Sequence, residues 1–203
     1  MASENLYIVK RSKFDARNPT QPVYDIALPA TFTNLNDAKQ YAKRVLPKEG
    51  YDIKFFPVYD VKDLSLHWAH EDGVMVYAEG PSGEVFRVEI DTVPNTAALR
   101  STSSTSQVAE LLYHVVQTLV DYNNDRSGSQ RYSIVEGTYT SFKAARDRAL
   151  QVLLDGGVKK EDFVEYDEYL DTTGGLFGPD VVVRAVHDGG LNVLVSVISS
   201  VYP

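Results

Sequence analysis

A chain that carries two near-copies of one pattern is constrained to fold as two similar units, and this sequence carries such a pair. Glu4, Leu6, Tyr7, Val9, Asp15 and Asn18 return as Glu110, Leu112, Tyr113, Val115, Asp121 and Asn124, each 106 positions later. The register then holds within a residue or two. Tyr24 and Ile26 recur as Tyr132 and Ile134, and Thr31-Phe32-Thr33 as Thr138-Tyr139-Thr140. Ala38, Ala42 and Val45 recur as Ala145, Ala149 and Val152, and Tyr59-Asp60 as Tyr166-Asp167. Most of what repeats is apolar or turn-forming, so the repeat speaks to architecture and not to activity.

Each copy reads as β-β-α-β-β-β. Leu6 to Phe14 and Val23 to Leu28 are rich in β-branched and aromatic residues around the turn cluster Asp15 to Pro19. Tyr113 to Val120 and Arg131 to Glu136 repeat that hairpin around a longer loop. Leu35, Ala38, Ala42, Val45 and Leu46 then mark one face of a helix, and Phe142, Ala145, Ala149, Val152 and Leu153 repeat the spacing. Asn34 or Thr33 caps the first helix, and Ser141 or Thr140 the second. Three strands follow: Lys54 to Val61, Val74 to Glu79 and Glu84 to Ile90, with counterparts in the second copy. One helix on an antiparallel sheet, twice over, predicts an α+β fold built as a tandem duplication with the halves packed together. The predicted boundaries are a first repeat over 1–95, a Ser/Thr-rich flexible linker over 96–107 and a second repeat over 108–203. Val182, Val186, Leu194 and Ile198 give the last hairpin a second apolar face. That face predicts either an interface between the halves or a homodimer contact through the second repeat.

At 203 residues with a formal charge of −8, the chain repels phosphate backbones and anionic lipid, so nucleic acid and membrane surfaces are disfavoured partners. Without cysteine it forms no disulfide and no thiolate metal site. No apolar run approaches a membrane span, and the N-terminus lacks the basic and apolar regions of a secretion signal. The expectation is a cytoplasmic protein whose partner, a protein or a glycan, is neutral or basic, with no cofactor and no metal.

The order of helix then antiparallel meander resembles cystatin-like folds, an analogy of fold alone. Trp68-x-His70-x-Asp72-Gly73-Val74-Met75-Val76-Tyr77-Ala78, together with Val115-Val116-Gln117-Thr118 and Asp121-Tyr122-Asn123-Asn124-Asp125, resembles a group of uncharacterised fungal intracellular proteins. The resemblance covers the whole chain and implies a fungal setting without an assigned activity.

Three constellations could carry chemistry. His67, Trp68, His70, Glu71 and Asp72 concentrate imidazoles and carboxylates that could bind a divalent metal or exchange protons. The second copy has no histidine there. The alternative is that Trp68 packs over the sheet edge and the histidines face water. Asp121-x-Asn123-x-Asp125 begins like a calcium loop, but Arg126 stands where glycine is needed and Tyr132 where a bidentate glutamate belongs, so a hairpin turn is the better reading. The acidic run Glu161 to Asp171 could receive a basic peptide, with Tyr166, Asp167 and Tyr169 as contacts. Its bland counterpart is a strand with rings inward and carboxylates in water. The recurring Tyr-Asp pair suggests a phenol-to-carboxylate hydrogen bond in each copy.

No phosphate loop, nucleophile elbow or dinucleotide fingerprint occurs. The sequence therefore favours a non-catalytic binding or protein-interaction module with duplicated surfaces, its candidate contacts being His67, Trp68, His70, Asp72, Tyr166, Asp167 and Tyr169. One alternative is a small enzyme or metal-dependent protein using the His67/His70/Asp72 loop. Another is a cytosolic defence protein of lectin or protease-inhibitor type.

Overall fold

The computed structural model describes residues 3–15, 25–63, 67–101, 105–122, 131–169, 177, 178 and 180–200. The calcium-like segment 123–125 and the turn at 16–19 lie outside them. The fold is α+β, with two five-stranded antiparallel sheets, each carrying a helix, in two similar halves. No helix among the described residues is long and apolar enough to cross a membrane.

In the first unit, β1 (Asn5–Asp15), β2 (Asp25–Phe32), β3 (Val58–Val61), β4 (Val74–Glu79) and β5 (Glu84–Pro94) lie in the order β2-β1-β5-β4-β3. The first strand pairs with the last over eleven residues, from Asn5 opposite Pro94 to Asp15 opposite Glu84. In the second unit, β6 (Tyr113–Asp121), β7 (Arg131–Tyr139), β8 (Glu165–Glu168), β9 (Val181–Val186) and β10 (Leu191–Ser199) take the order β7-β6-β10-β9-β8. Strands β1 and β6 bury side chains on both faces, Leu6, Ile8 and Val9 with Lys10 and Ser12 in the one, and Val115, Val116 and Val120 with His114 and Thr118 in the other.

Helix α1 (Leu35–Ala42) begins where Asn34 Oδ1 accepts from the backbone N–H groups of Asn36 and Asp37, at 2.8 and 3.3 Å. The fully buried Ala38 and Ala42 let its axis approach the sheet. The stripe that predicts one helix through Leu46 is divided: after Lys43 and Arg44 a single turn, α2 (Val45–Lys48), starts anew. Pro47 explains the break, since it offers no N–H to the carbonyl of Lys43 and crowds it. Helix α3 (Phe142–Ala149) is capped by Ser141 and buries Ala145 and Ala149 in the same way.

The cores differ in kind. Beneath α1, Phe56 and Tyr51 pack on Phe86 with ring centroids 5.3 and 5.0 Å away, among Val9, Phe32 and Val88. Beneath α3 the core is aliphatic, built on Val115, Val152, Val183, Val195 and Val197.

Two β-bulges recur at matching places. Between Ala27 and Ala30, β2 carries one residue more than β1, and Pro29 sits in that irregularity, where a missing N–H costs no ladder bond. In the second unit the extra residue lies between Val135 and Gly137. The other bulge falls between Val74 and Val76, and between Val181 and Val183. It turns Met75 and Val182 onto the helix side, where both are buried. Val182 is therefore a core residue, contrary to the outward position that simple alternation predicts, while Val186, Leu194 and Ile198 are half-buried.

The segment expected to be a flexible linker is tied down at its described end. Gln107 bridges to Phe32, Thr33 N–H donates to the Ser106 carbonyl at 3.0 Å, and Val108 N–H donates to the Thr31 carbonyl at 2.9 Å. Ser106 Oγ adds a bond to Asp37 of α1 at 2.6 Å. The free N–H and C=O groups of an edge strand supply the reason: any extended segment that reaches β2 satisfies them.

Candidate functional site

The loop before β4 does not gather its histidines and carboxylates into one site. His67 is exposed, and Asp72 is fully exposed with Lys62 as its partner, at 3.2 Å. Glu71 pairs with Arg87 at 2.9 Å. His70 alone turns onto the sheet, on the face away from α1. Its ring stacks on Tyr77, with centroids 4.0 Å apart and planes 18° apart, and its Nε2 meets Asp60 Oδ2 at 2.9 Å. Trp68 packs edge-on against His70 at 4.8 Å and donates through Nε1 to the Glu71 carbonyl at 3.1 Å. Tyr77 donates to Glu79 at 2.7 Å, and burial followed by that bond pushes its phenol up to about 12. Among the described residues no three histidines, aspartates or glutamates are grouped to hold a metal ion.

The second unit builds the same arrangement from different chemistry. Asp60 stands opposite Tyr77 across β3 and β4, and Asp167 stands opposite Arg184 across β8 and β9. Phe177 occupies the repeat position of His70, and the Arg184 guanidinium lies 5.0 Å from its ring centre. Arg184 also bonds Asp167 at 3.2 Å and pairs with Glu165. Both units thus stack a ring from the loop on a side chain of the inner strand, beside an aspartate from the edge strand. In the first unit the titratable partner is the loop residue. In the second the cation belongs to the sheet.

This geometry also rearranges the acidic run. Tyr166 faces the core beside Phe163, at 5.2 Å, with its hydroxyl buried and unbonded among the described residues. Burial raises its pKa. Tyr169 lies near Phe177 at 6.5 Å, and its N–H donates to the Val182 carbonyl. Glu168 pairs with Lys160 at 2.6 Å. The expected phenol-to-carboxylate bond does not form in either copy, because neighbouring residues of a strand point to opposite faces. Tyr59 and Tyr166 turn to the cores, Asp60 and Asp167 away from them.

A concave site lies elsewhere, on the helix side of the first unit. A groove of about 460 Å³ opens where α1 and α2 pass the bulged end of β2, with Ala27, Pro29 and Val45 as walls and the rings of Tyr41 and Tyr51 beside them. Its polar groups are Arg11, Glu49, Lys48 and Gln107. Arg11 is nearly buried; its Nε donates to the Glu49 carboxylate at 3.1 and 3.4 Å, and its Nη1 pairs with Asp25 at 2.9 Å. Burial raises the pKa of Glu49, and the neighbouring Arg11 only partly offsets that. Burial and then the Glu49 charge raise that of Tyr41. Lys48 Nζ rests 4.1 Å from the centre of the Tyr41 ring.

None of these groove residues was among the sequence candidates, since they come from four distant stretches of chain. The available signal was Arg11 itself, a charge at the inward position that follows Tyr7 and Val9. The polar lining of the groove is particular to the first unit. At the matching positions the second has Gln117 for Arg11, Arg148 for Tyr41, Asp155 for Lys48 and Gly156 for Glu49. There Arg148 closes on Asp155 instead, at 2.8 Å.

No protein family, curated protein or solved structure matches the chain.

Proposed function

We propose that this chain is a non-catalytic binding protein, descended from a duplicated α+β unit, that takes its ligand in the groove of the first unit. The supporting observation is the paired ring stacks. The His70–Asp60 pair is the arrangement that most invites an acid–base role, yet its counterpart in the other copy is Phe177 on Arg184 beside Asp167, a set without an imidazole. A contact that survives exchange of its chemistry is maintained for packing. The groove, by contrast, combines apolar walls with a few convergent polar groups, the usual make-up of a small-ligand site. Three carboxylates of the acidic run, Glu165, Asp167 and Glu168, are engaged by Arg184 and Lys160, which leaves less charge for a basic peptide.

The test is to equilibrate the protein with a small-molecule cell extract and analyse by mass spectrometry both what it retains and what the extract becomes. A compound retained and released unchanged, equally by the parent and by His70→Phe, supports the proposal. A new product that appears with the parent and not with His70→Phe overturns it.

A further inference from the structure

We infer that the groove of the first unit accepts a small organic carboxylate carried on a flat, apolar body. This rests on the binding-protein reading and names its ligand class. The groove is rich in donors and poor in acceptors. Both oxygens of Glu49 are held by Arg11 Nε, so the one carboxylate in the lining is already engaged. The donors are open: Arg11 commits Nε and Nη1 and leaves Nη2, while Lys48 Nζ, the Gln107 amide and the hydroxyls of Tyr41 and Tyr51 have no hydrogen-bond partner among the described residues. A ligand that supplies acceptors can engage the Arg11 Nη2 and Lys48 Nζ donors, which have no acceptor function of their own and which a ligand supplying only donors leaves unpaired.

Charge selects among acceptors. Arg11 is matched by Glu49 and Asp25, so Lys48 is the cation of the lining without a carboxylate partner among the described residues, and a monoanion would pair with it. A phosphate dianion would bring a second negative charge beside Glu49. The remaining Arg11 Nη2 and the Lys48 ammonium, both on the lining, can each take one oxygen of a carboxylate. The body of the ligand meets two tyrosine rings, Pro29 and Val45, surfaces that favour a planar group. Lys48 closes the arrangement. It lies over Tyr41, where a planar body would lie, and its four-carbon stem lets the ammonium swing to the ligand's carboxylate.

The experiment titrates the isotope-labelled full chain with 2-naphthoate and, separately, with its neutral analogue 2-naphthamide, reading backbone and side-chain NMR shifts. Expected are saturable shifts confined to residues around the groove, with naphthoate bound about tenfold more tightly than the amide, the ratio a single charge-assisted contact supplies. Lys48→Ala should weaken naphthoate about fivefold or more and leave naphthamide unchanged, and Lys48→Arg should restore the difference. Equal binding of acid and amide, or indifference to Lys48→Ala, overturns the carboxylate assignment while the groove stands as a site. No shift from either compound at millimolar concentration overturns the groove as a site for flat ligands of either charge. Retention of a different compound from cell extract would still separate that failure from failure of the binding-protein reading.

Discussion

Lys10 offers a perturbation whose outcome can be worked out in advance. It lies on the sheet face opposite α1, with its side chain 2% exposed, Nζ 3.0 Å from Asp91 and 3.3 Å from Glu89. At the matching positions the second unit has Val116, Ser196 and Ile198. Replacing Lys10 alone by valine leaves two carboxylates, 14% and 18% exposed, facing each other without their cation. Breaking a buried pair from one side costs about 3–5 kcal/mol, and the lost volume adds about 1 kcal/mol more. Replacing all three residues by their counterparts removes the charges together, a change that is neutral or stabilising by up to about 4 kcal/mol. Urea unfolding followed by tryptophan fluorescence reads this directly, since Trp68 is the chain's one tryptophan and belongs to the first unit. The single variant should lower the midpoint by roughly 2 M and the triple variant should recover it. Alkaline pH gives a second readout. Burial works against the charge on Lys10, but Asp91 and Glu89 outweigh it, so its pKa lies above the ordinary 10.5. The stability it contributes is therefore complete below 10.5 and lost as pH rises through the folded value, a loss the triple variant should not show. A single variant within about 1 kcal/mol of the parent, or a triple variant no better than the single one, would refute the argument.

His114, fully buried with only Thr138 as a described partner at 2.9 Å, has its pKa lowered by burial to about 4. The unfolded chain binds the proton first, so about 3 kcal/mol present above pH 6.5 should disappear as pH falls toward 4. His114→Ile, which copies Ile8, should flatten the urea midpoint between pH 7 and 4.5, and an unchanged acid slope would contradict the assignment. Ala145 is fully buried where α3 meets its sheet, so Ala145→Leu should cost about 1–3 kcal/mol by overpacking. A thermal melt unaffected by that change would show that the helix is not seated so closely.

The fold was readable because periodicity is local: alternation, the 3.6-residue stripe and the capping residues each lie within a short window. The pairing of β1 with β5 was not, since nothing in Asn5–Asp15 names a partner some eighty residues away. Bulges defeated the alternation argument at Val182, where one extra residue turns a side chain to the other face. At the candidate sites, adjacency in sequence misled. His67, His70 and Asp72 are neighbours along the chain, yet His67 is exposed while His70 meets Asp60 and Asp72 meets Lys62, and Tyr166 and Asp167 straddle a strand. Arg11, Tyr41, Glu49 and Gln107 show the reverse, meeting only because β1, the helices and the strip beside β2 converge.

The strip at 105–108 bears on the order in which the chain assembles. Two sheets of identical strand order, built on one polypeptide, invite the wrong strand to add to the wrong edge, a hazard typical of tandem repeats. Synthesis proceeds from the N-terminus, so residues 105–108 emerge after Pro94, the end of the last strand of the first sheet, and before Tyr113, the start of the first strand of the second. They can close the β2 edge before any strand of the second sheet exists. The connection between the units then serves as a guard on the first while the second is still to be made.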